Sequence, residues 1–218
     1  SGAAAYVHRV KSLTHFKSLI ANNKARGGGG GIRVISIKKE MQNIGCTFMR
    51  NSASYGGAIR VTFAKDITNI RCQFQQNSAG TIRKRGVYQN GRGGAINVDK
   101  ITSMKNIHTW FVDNYGMNDG GGISVQKSIK TLCLLSCSCI NNTAEGNGGF
   151  INILDINRKS EMELFFSNQC TFINNIAKSP LGMNILTNGG AICISKIYNF
   201  SNNYCIYKAN WASQRGGG

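Results

Sequence analysis

Acidic side chains are scarce in this sequence. Nine Asp and Glu stand against 26 Lys and Arg in 218 residues, which leaves a formal charge of +17. Asp66, Asp99, Asp113, Asp119 and Asp155 are scattered along the chain, and no two Asp adjoin. Chemistry that needs clustered carboxylates, or a carboxylate-rich Ca²⁺ site, therefore has little to draw on. His8, His15 and His108 have no evident Asp and nucleophile partners for a triad. The run Gly27 to Gly31 lacks the Lys-Ser/Thr that would make it a phosphate loop. Proline occurs once, and the 27 glycines follow no Gly-X-Y period, so a collagen-like chain is excluded. No apolar run approaches the ~18 residues that a membrane helix needs. With 41% hydrophobic residues, the chain nevertheless has the material for a buried core.

What the sequence has in abundance is internal repetition. A glycine pair, a small residue and an apolar-polar-apolar triplet recur as Gly56-Gly57-Ala58-Ile59-Arg60-Val61, Gly93-Gly94-Ala95-Ile96-Asn97-Val98, Gly120-Gly121-Gly122-Ile123-Ser124-Val125, Gly148-Gly149-Phe150-Ile151-Asn152-Ile153 and Gly189-Gly190-Ala191-Ile192-Cys193-Ile194. Gly29 to Val34 fits, and Gly2 to Val7 is a worn copy. A second motif follows each pair: an aromatic or apolar residue, two variable residues, Asn, one residue, then Ala or Gly. Its seven asparagines are Asn23, Asn51, Asn77, Asn114, Asn142, Asn175 and Asn210. From second glycine to Asn the distance is 20 or 21 residues in six units and 26 in the sixth. The link onward is usually 6 or 7 residues, but 17 after Asn77 and 15 after Asn175. These two insertions, 80–92 and 178–187, fall at one corner of the unit, as loops of a repeat array do.

Each unit also contains strictly alternating stretches such as Ile59-Arg60-Val61 and Ile70-Arg71-Cys72-Gln73-Phe74. Period-2 alternation predicts half-buried strands. A unit this short cannot bury an apolar face alone, but stacked units can. The expected fold is therefore all-β: a right-handed parallel β-helix, or solenoid, of about seven coils and a single domain over 1–218. Its axial length is roughly 34 Å at strand spacing. Glycines permit the turn and a close approach of the coil above. Each Asn is expected where strand becomes turn, tolerating the left-handed region and hydrogen-bonding to its counterparts in a ladder. On that basis Asn77→Ala is expected to cost about 1–3 kcal/mol.

The pairing of Gly-Gly-Ala-Ile with Phe-x-x-Asn resembles the repeats of chlamydial polymorphic outer-membrane proteins, with similar repeats in large surface proteins of some protists. The resemblance runs over nearly all of residues 2 to 218. It implies an extracellular or cell-surface β-helical passenger used in adhesion or assembly. No counterpart of the translocating β-barrel of bacterial members appears in these 218 residues. Neither an enzymatic activity nor a cofactor is expected. The alternative is a β-helix carbohydrate-active enzyme or a binding module for anionic polysaccharide.

Five of the eight cysteines, Cys46, Cys72, Cys137, Cys170 and Cys205, share one inward position two residues before the aromatic, which Ser18 and Thr109 occupy elsewhere. They read either as small core fillers or as inter-coil disulfides, Cys46–Cys72 with Cys137–Cys170 or Cys170–Cys205. Cys193 takes an outward position. Basic residues follow each glycine strand, in what reads as a turn: Lys38, Lys39, Lys65, Lys100, Lys127, Lys130, Arg158, Lys159 and Lys196. Stacked, they form a basic edge, which solubilises and blocks sideways strand pairing or receives an acidic glycan or acidic protein. Nothing points to nucleic acid, because aromatics do not interleave with this edge. Val112, Ile140 and Ile173 form an outward apolar stripe with Trp110 and Ile206 nearby. Asn141 and Asn199 open sequons that would accept N-glycans in a secreted eukaryotic protein. The sequence opens within a glycine motif and closes on Gly216-Gly217-Gly218. The array is thus expected to continue in a longer chain or to associate head to tail.

Overall fold

A computed structural model describes residues 4–82, 88–89, 91–154, 162–179 and 187–213. No helix occurs among them. Three stacked parallel sheets, of eleven, seven and six strands, account for almost all of the regular structure, and Thr81–Ile82 pairs antiparallel with Tyr88–Gln89. The chain is a parallel β-helix. The seven-stranded sheet counts the coils: Leu19–Ala21, Thr47–Met49, Gln73–Gln75, Trp110–Val112, Ser138–Ile140, Thr171–Ile173 and Ile206–Lys208.

Register converts the repeat into columns. Ile32, Ile59, Ile96, Ile123, Ile151 and Ile192 pair in turn, as do Val34, Val61, Val98, Val125, Ile153 and Ile194. Phe48 and Phe74 stack with centroids 4.8 Å apart, and Phe74 and Phe111 at 4.9 Å. Such pairs contribute ~0.5–1.5 kcal/mol beyond their burial. The column is broken where Cys139 takes the aromatic place between Phe111 and Phe172. Phe150, which stands where other glycine motifs carry Ala or Gly, fills the gap, its ring 5.1 Å from Phe111 and 6.1 Å from Phe172. Room for that ring comes from Gly122 below it, where a Cβ would lie 2.3 Å from the Phe150 ring.

The fixed distance between the two motifs has a physical cause. A Cβ on Gly57 would lie 2.2 Å from the Gly94 carbonyl and 2.6 Å from the backbone of Ser78. The second glycine of a pair therefore abuts the residue after its own coil's Asn, across a waist only backbone can occupy. The first glycine turns the chain: Gly56 has φ +58°.

Two expectations are corrected here. The ladder asparagines are not the left-handed residues; the residues before them are, namely Asn22, Arg50, Gln76, Asp113, Asn141, Asn174 and Ala209. This places each ladder amide on the inward side of the corner. Nor does a turn follow the first three fully paired glycine strands: Ile32–Ile44, Ile59–Ile70 and Ile96–Ile107 run unbroken through that place. Register shifts between Ile37 and Glu40 and between Val98 and Lys100 absorb the bend, as β-bulges do.

Candidate functional site

The seven asparagines named from the sequence stand in one column. Each side-chain amide from Asn23 to Asn175 donates to Oδ1 of the Asn in the next coil, at 2.9–3.1 Å. The same Oδ1 accepts the backbone N–H of that donor. From Asn51 onward the second amide hydrogen goes back to the carbonyl of the previous coil's aromatic position, as from Asn77 to Phe48 at 2.9 Å. Asn51, Asn77, Asn142 and Asn175 are wholly buried, and every one of these amides is paired.

A second ladder, which the sequence reading missed, lies deeper. Asn43 donates to Asn69 at 2.7 Å and Asn69 to Asn106 at 2.8 Å, all three fully buried. His15, in the tautomer protonated at Nδ1, donates to Asn43 at 2.9 Å and heads the column. The column stops at Leu134, which pairs with Asn106 and leaves Asn106 Nδ2 without a partner. A third column, Asp119, Asn147 and Asn188, precedes the glycine pairs. Asp119 accepts from Asn147 and from Arg92, the latter at 3.2 Å.

The outward side chains of the glycine strands are polar yet largely shielded. Arg33, Arg60, Asn97, Ser124, Asn152 and Cys193 are paired in register, and Asn97, Ser124 and Asn152 are fully buried. Arg60 meets Asp99 at 2.5 Å and lies 5.0 Å from the Tyr55 ring centre. Burial lowers the Arg60 pKa, and Asp99 opposes that shift. Period-2 reading assigns such residues to solvent, so this shielding had no sequence signal.

All eight cysteines are thiols. Cys46, Cys72, Cys137 and Cys170 are buried and Cys205 half-buried. Cys193 is also half-buried, its pKa raised by burial and by Asp119. The expected basic edge is divided by the bulges. Lys38 and Lys39 oppose Lys65, beside Glu40 and Asp66; Lys130 follows Thr102 in that line and pairs with Glu163 at 2.8 Å. Lys100 falls in another column, against Phe63 and Ser128, with Lys127 exposed at the same bulge. Lys196 is exposed beyond the last glycine strand. Arg158, Lys159, Arg83 to Arg85, most of both loop insertions and the terminal glycines lie outside the described residues. Lys24 and Arg26 flank an open cavity of about 300 Å³ that Ser52 and Gly80 help to line. Trp110 and Ile206 are about half exposed on the outer face of the seven-stranded sheet, with Val112, Ile140 and Ile173 partly buried beside them. Asn141 and Asn199 are exposed, the former donating to Asp113 at 3.2 Å. Among the described residues, no group of three or more His, Cys, Asp or Glu could hold a metal ion, and no helix could cross a membrane.

Residues 169–195 match the Chlamydia polymorphic membrane protein repeat. The match begins one residue before Cys170, takes in Phe172 and Asn175, and ends one residue after Ile194, so it contains one copy of each motif. No curated protein and no solved structure matches the chain.

Proposed function

We propose that this chain is a rigid β-helical segment of an extracellular or cell-surface repeat protein, acting in adhesion or assembly and not in catalysis. The observation that carries the reading is that the unit matching the chlamydial repeat is one step of a stack that keeps register through seven coils. A solenoid of this kind works by presenting long side faces and by joining coil to coil. Head-to-tail association, or continuation in a longer array, is the assembly that stacked coils favour. Sedimentation and electron microscopy of the protein test it. Elongated particles or fibres are expected; monodisperse single chains that bind no surface polymer would refute it.

The cavity between Lys24 and Arg26, together with exposed Lys38, Lys39 and Lys65, favours a second reading: a binding module for anionic polysaccharide, with an acidic protein as the other partner of suitable charge. Retention on a sulfated-glycan column, falling steeply with salt and weakened by Lys24→Ala with Arg26→Ala, is the expected result. Retention unchanged by the pair removes this reading. Depolymerisation of a polyuronate would establish the carbohydrate-active alternative. A mass increase at Asn141 or Asn199 after secretion from eukaryotic cells would mark the sequons as used.

A further inference from the structure

Cys137, Cys170 and Cys205 occupy one column in three successive coils. Thr171 N–H donates to the Cys137 carbonyl at 2.9 Å and Ile206 N–H to the Cys170 carbonyl at 2.8 Å, which fixes their register. At the ~4.8 Å spacing of paired strands, neighbouring Cα atoms are within disulfide reach. None of the three lies within a strand.

Cys170 is the centre of the group. Its Sγ receives the backbone N–H of Cys137 at 3.4 Å. The Cys137 and Cys205 thiols donate to the Asn106 and Asn203 carbonyls, at 3.2 and 3.3 Å. The Cys137 thiol and backbone N–H beside it pull the Cys170 pKa down to about 7, against burial, while that of Cys137 is pushed up. Cys139 and Tyr207 also face this group and are both raised by burial. Cys205 is half-buried, with Ser167 Oγ 3.2 Å from its sulfur. Cys46 and Cys72 repeat the spacing in adjacent coils but differ in environment. Both are buried, and burial raises Cys72 to about 11. Thiolate character and access decide reactivity.

We propose that Cys170 and Cys205 are a redox-sensitive pair that closes an inter-coil disulfide on meeting a low-molecular-weight disulfide, while Cys46 and Cys72 remain thiols. Cys205, the accessible sulfur, attacks the small disulfide as its thiolate, forming a mixed disulfide and releasing one small thiol. The Cys170 thiolate then attacks the Cys205 sulfur; the mixed bond breaks and the second small thiol leaves. Two protein thiols lose two electrons, one small disulfide gains them, and the two cysteine protons end on the released thiols. The bond staples the last two coils across the chain between Cys170 and Cys205.

The test is incubation of the intact protein with excess glutathione disulfide, then alkylation, digestion and mass spectrometry without reduction. A linked peptide pair holding Cys170 and Cys205 is expected, with Cys46 and Cys72 alkylated once the chain is unfolded. The melting temperature should rise by roughly 5 °C or more. The rise should reverse with dithiothreitol and be absent from Cys205→Ser, a change on a half-buried outer coil. A Cys46–Cys72 link forming as fast, or glutathione persisting on Cys205 without ring closure, would overturn the proposal. So would a Cys137–Cys170 link that forms equally in Cys205→Ser.

Discussion

Replacing Asn77 by Ala tests the outer ladder where it is most enclosed. The change strips the acceptor from Asn51 N–H (3.1 Å) and from one Asn51 amide hydrogen (3.0 Å), and the donor from the Phe48 carbonyl (2.9 Å). Asn51, Asn77 and Phe48 are fully buried, so water does not replace these bonds without opening the stack. The two Asn51 donors are orphaned at ~1–3 kcal/mol each, and the Phe48 carbonyl, still paired within its strand, loses its second bond, which together gives about 3–5 kcal/mol. That exceeds the sequence-based expectation because the Asn51 backbone N–H was not foreseen as a second donor to the same oxygen. For a chain of this size the melting temperature should fall by roughly 10 °C. Asn23→Ala is the internal control. Asn23 donates to Asn51 and to the Ala21 carbonyl, its own Oδ1 accepts nothing among the described residues, and it is half-buried, so its loss should cost about 1 kcal/mol or less. Urea unfolding with an unchanged m value measures both. Equal costs for the two variants, or under 1 kcal/mol for Asn77→Ala, would refute the ladder as a source of stability.

Asn77→Asp keeps the acceptor but turns a carboxyl toward two acceptors, the Phe48 carbonyl and Asn114 Oδ1. Only its neutral form donates, so its folded pKa is raised, and stability should fall as pH climbs above about 4 in unfolding curves taken at several pH values. Phe150→Ala should leave a cavity worth about 3–5 kcal/mol by denaturation. Gly122→Ala should be destabilising alone and milder when combined with Phe150→Ala, because the clash is with the ring itself. Gly57→Ala drives a methyl into the Gly94 carbonyl and Ser78 backbone, and should abolish soluble folded protein or lower the melting point by more than 10 °C. Leu134→Asn should cost clearly less than Leu132→Asn in urea titrations, because only the former meets the unpaired Asn106 amide.

The periodic features were legible because stacking forces like residues into columns. The Ile and Val columns, the phenylalanines and the outer asparagines all read directly from spacing. The inner asparagines had a signal of the same kind, each three residues before the Cys46, Cys72 and Thr109 position, but Asn within an otherwise apolar strand reads as its outer face. The left-handed corners had no signature, since Arg, Gln, Asp and Ala share them. Lys38, Lys39, Lys65 and Lys100 read as turn residues because charge next to a strand resembles its end, and a continuous strand carries them through instead, whereas Lys130 and Lys196 do fall in breaks between strands. Phe150, Cys139 and Gly122 come from three different motif positions in three coils. Their mutual fit is a matter of volume in space, beyond the reach of any one-dimensional pattern.

The outer ladder also gives the solenoid a sense of direction. Each amide from Asn23 to Asn175 passes one hydrogen forward, toward Asn210, to the Oδ1 of the next coil. Wherever the stack is cut, the column therefore leaves that hydrogen on one surface and its Oδ1 on the other. A head-to-tail joint, which sets the Oδ1 of one copy against the amide of the next, restores the column. A two-fold end-on joint, which sets like surfaces together, does not.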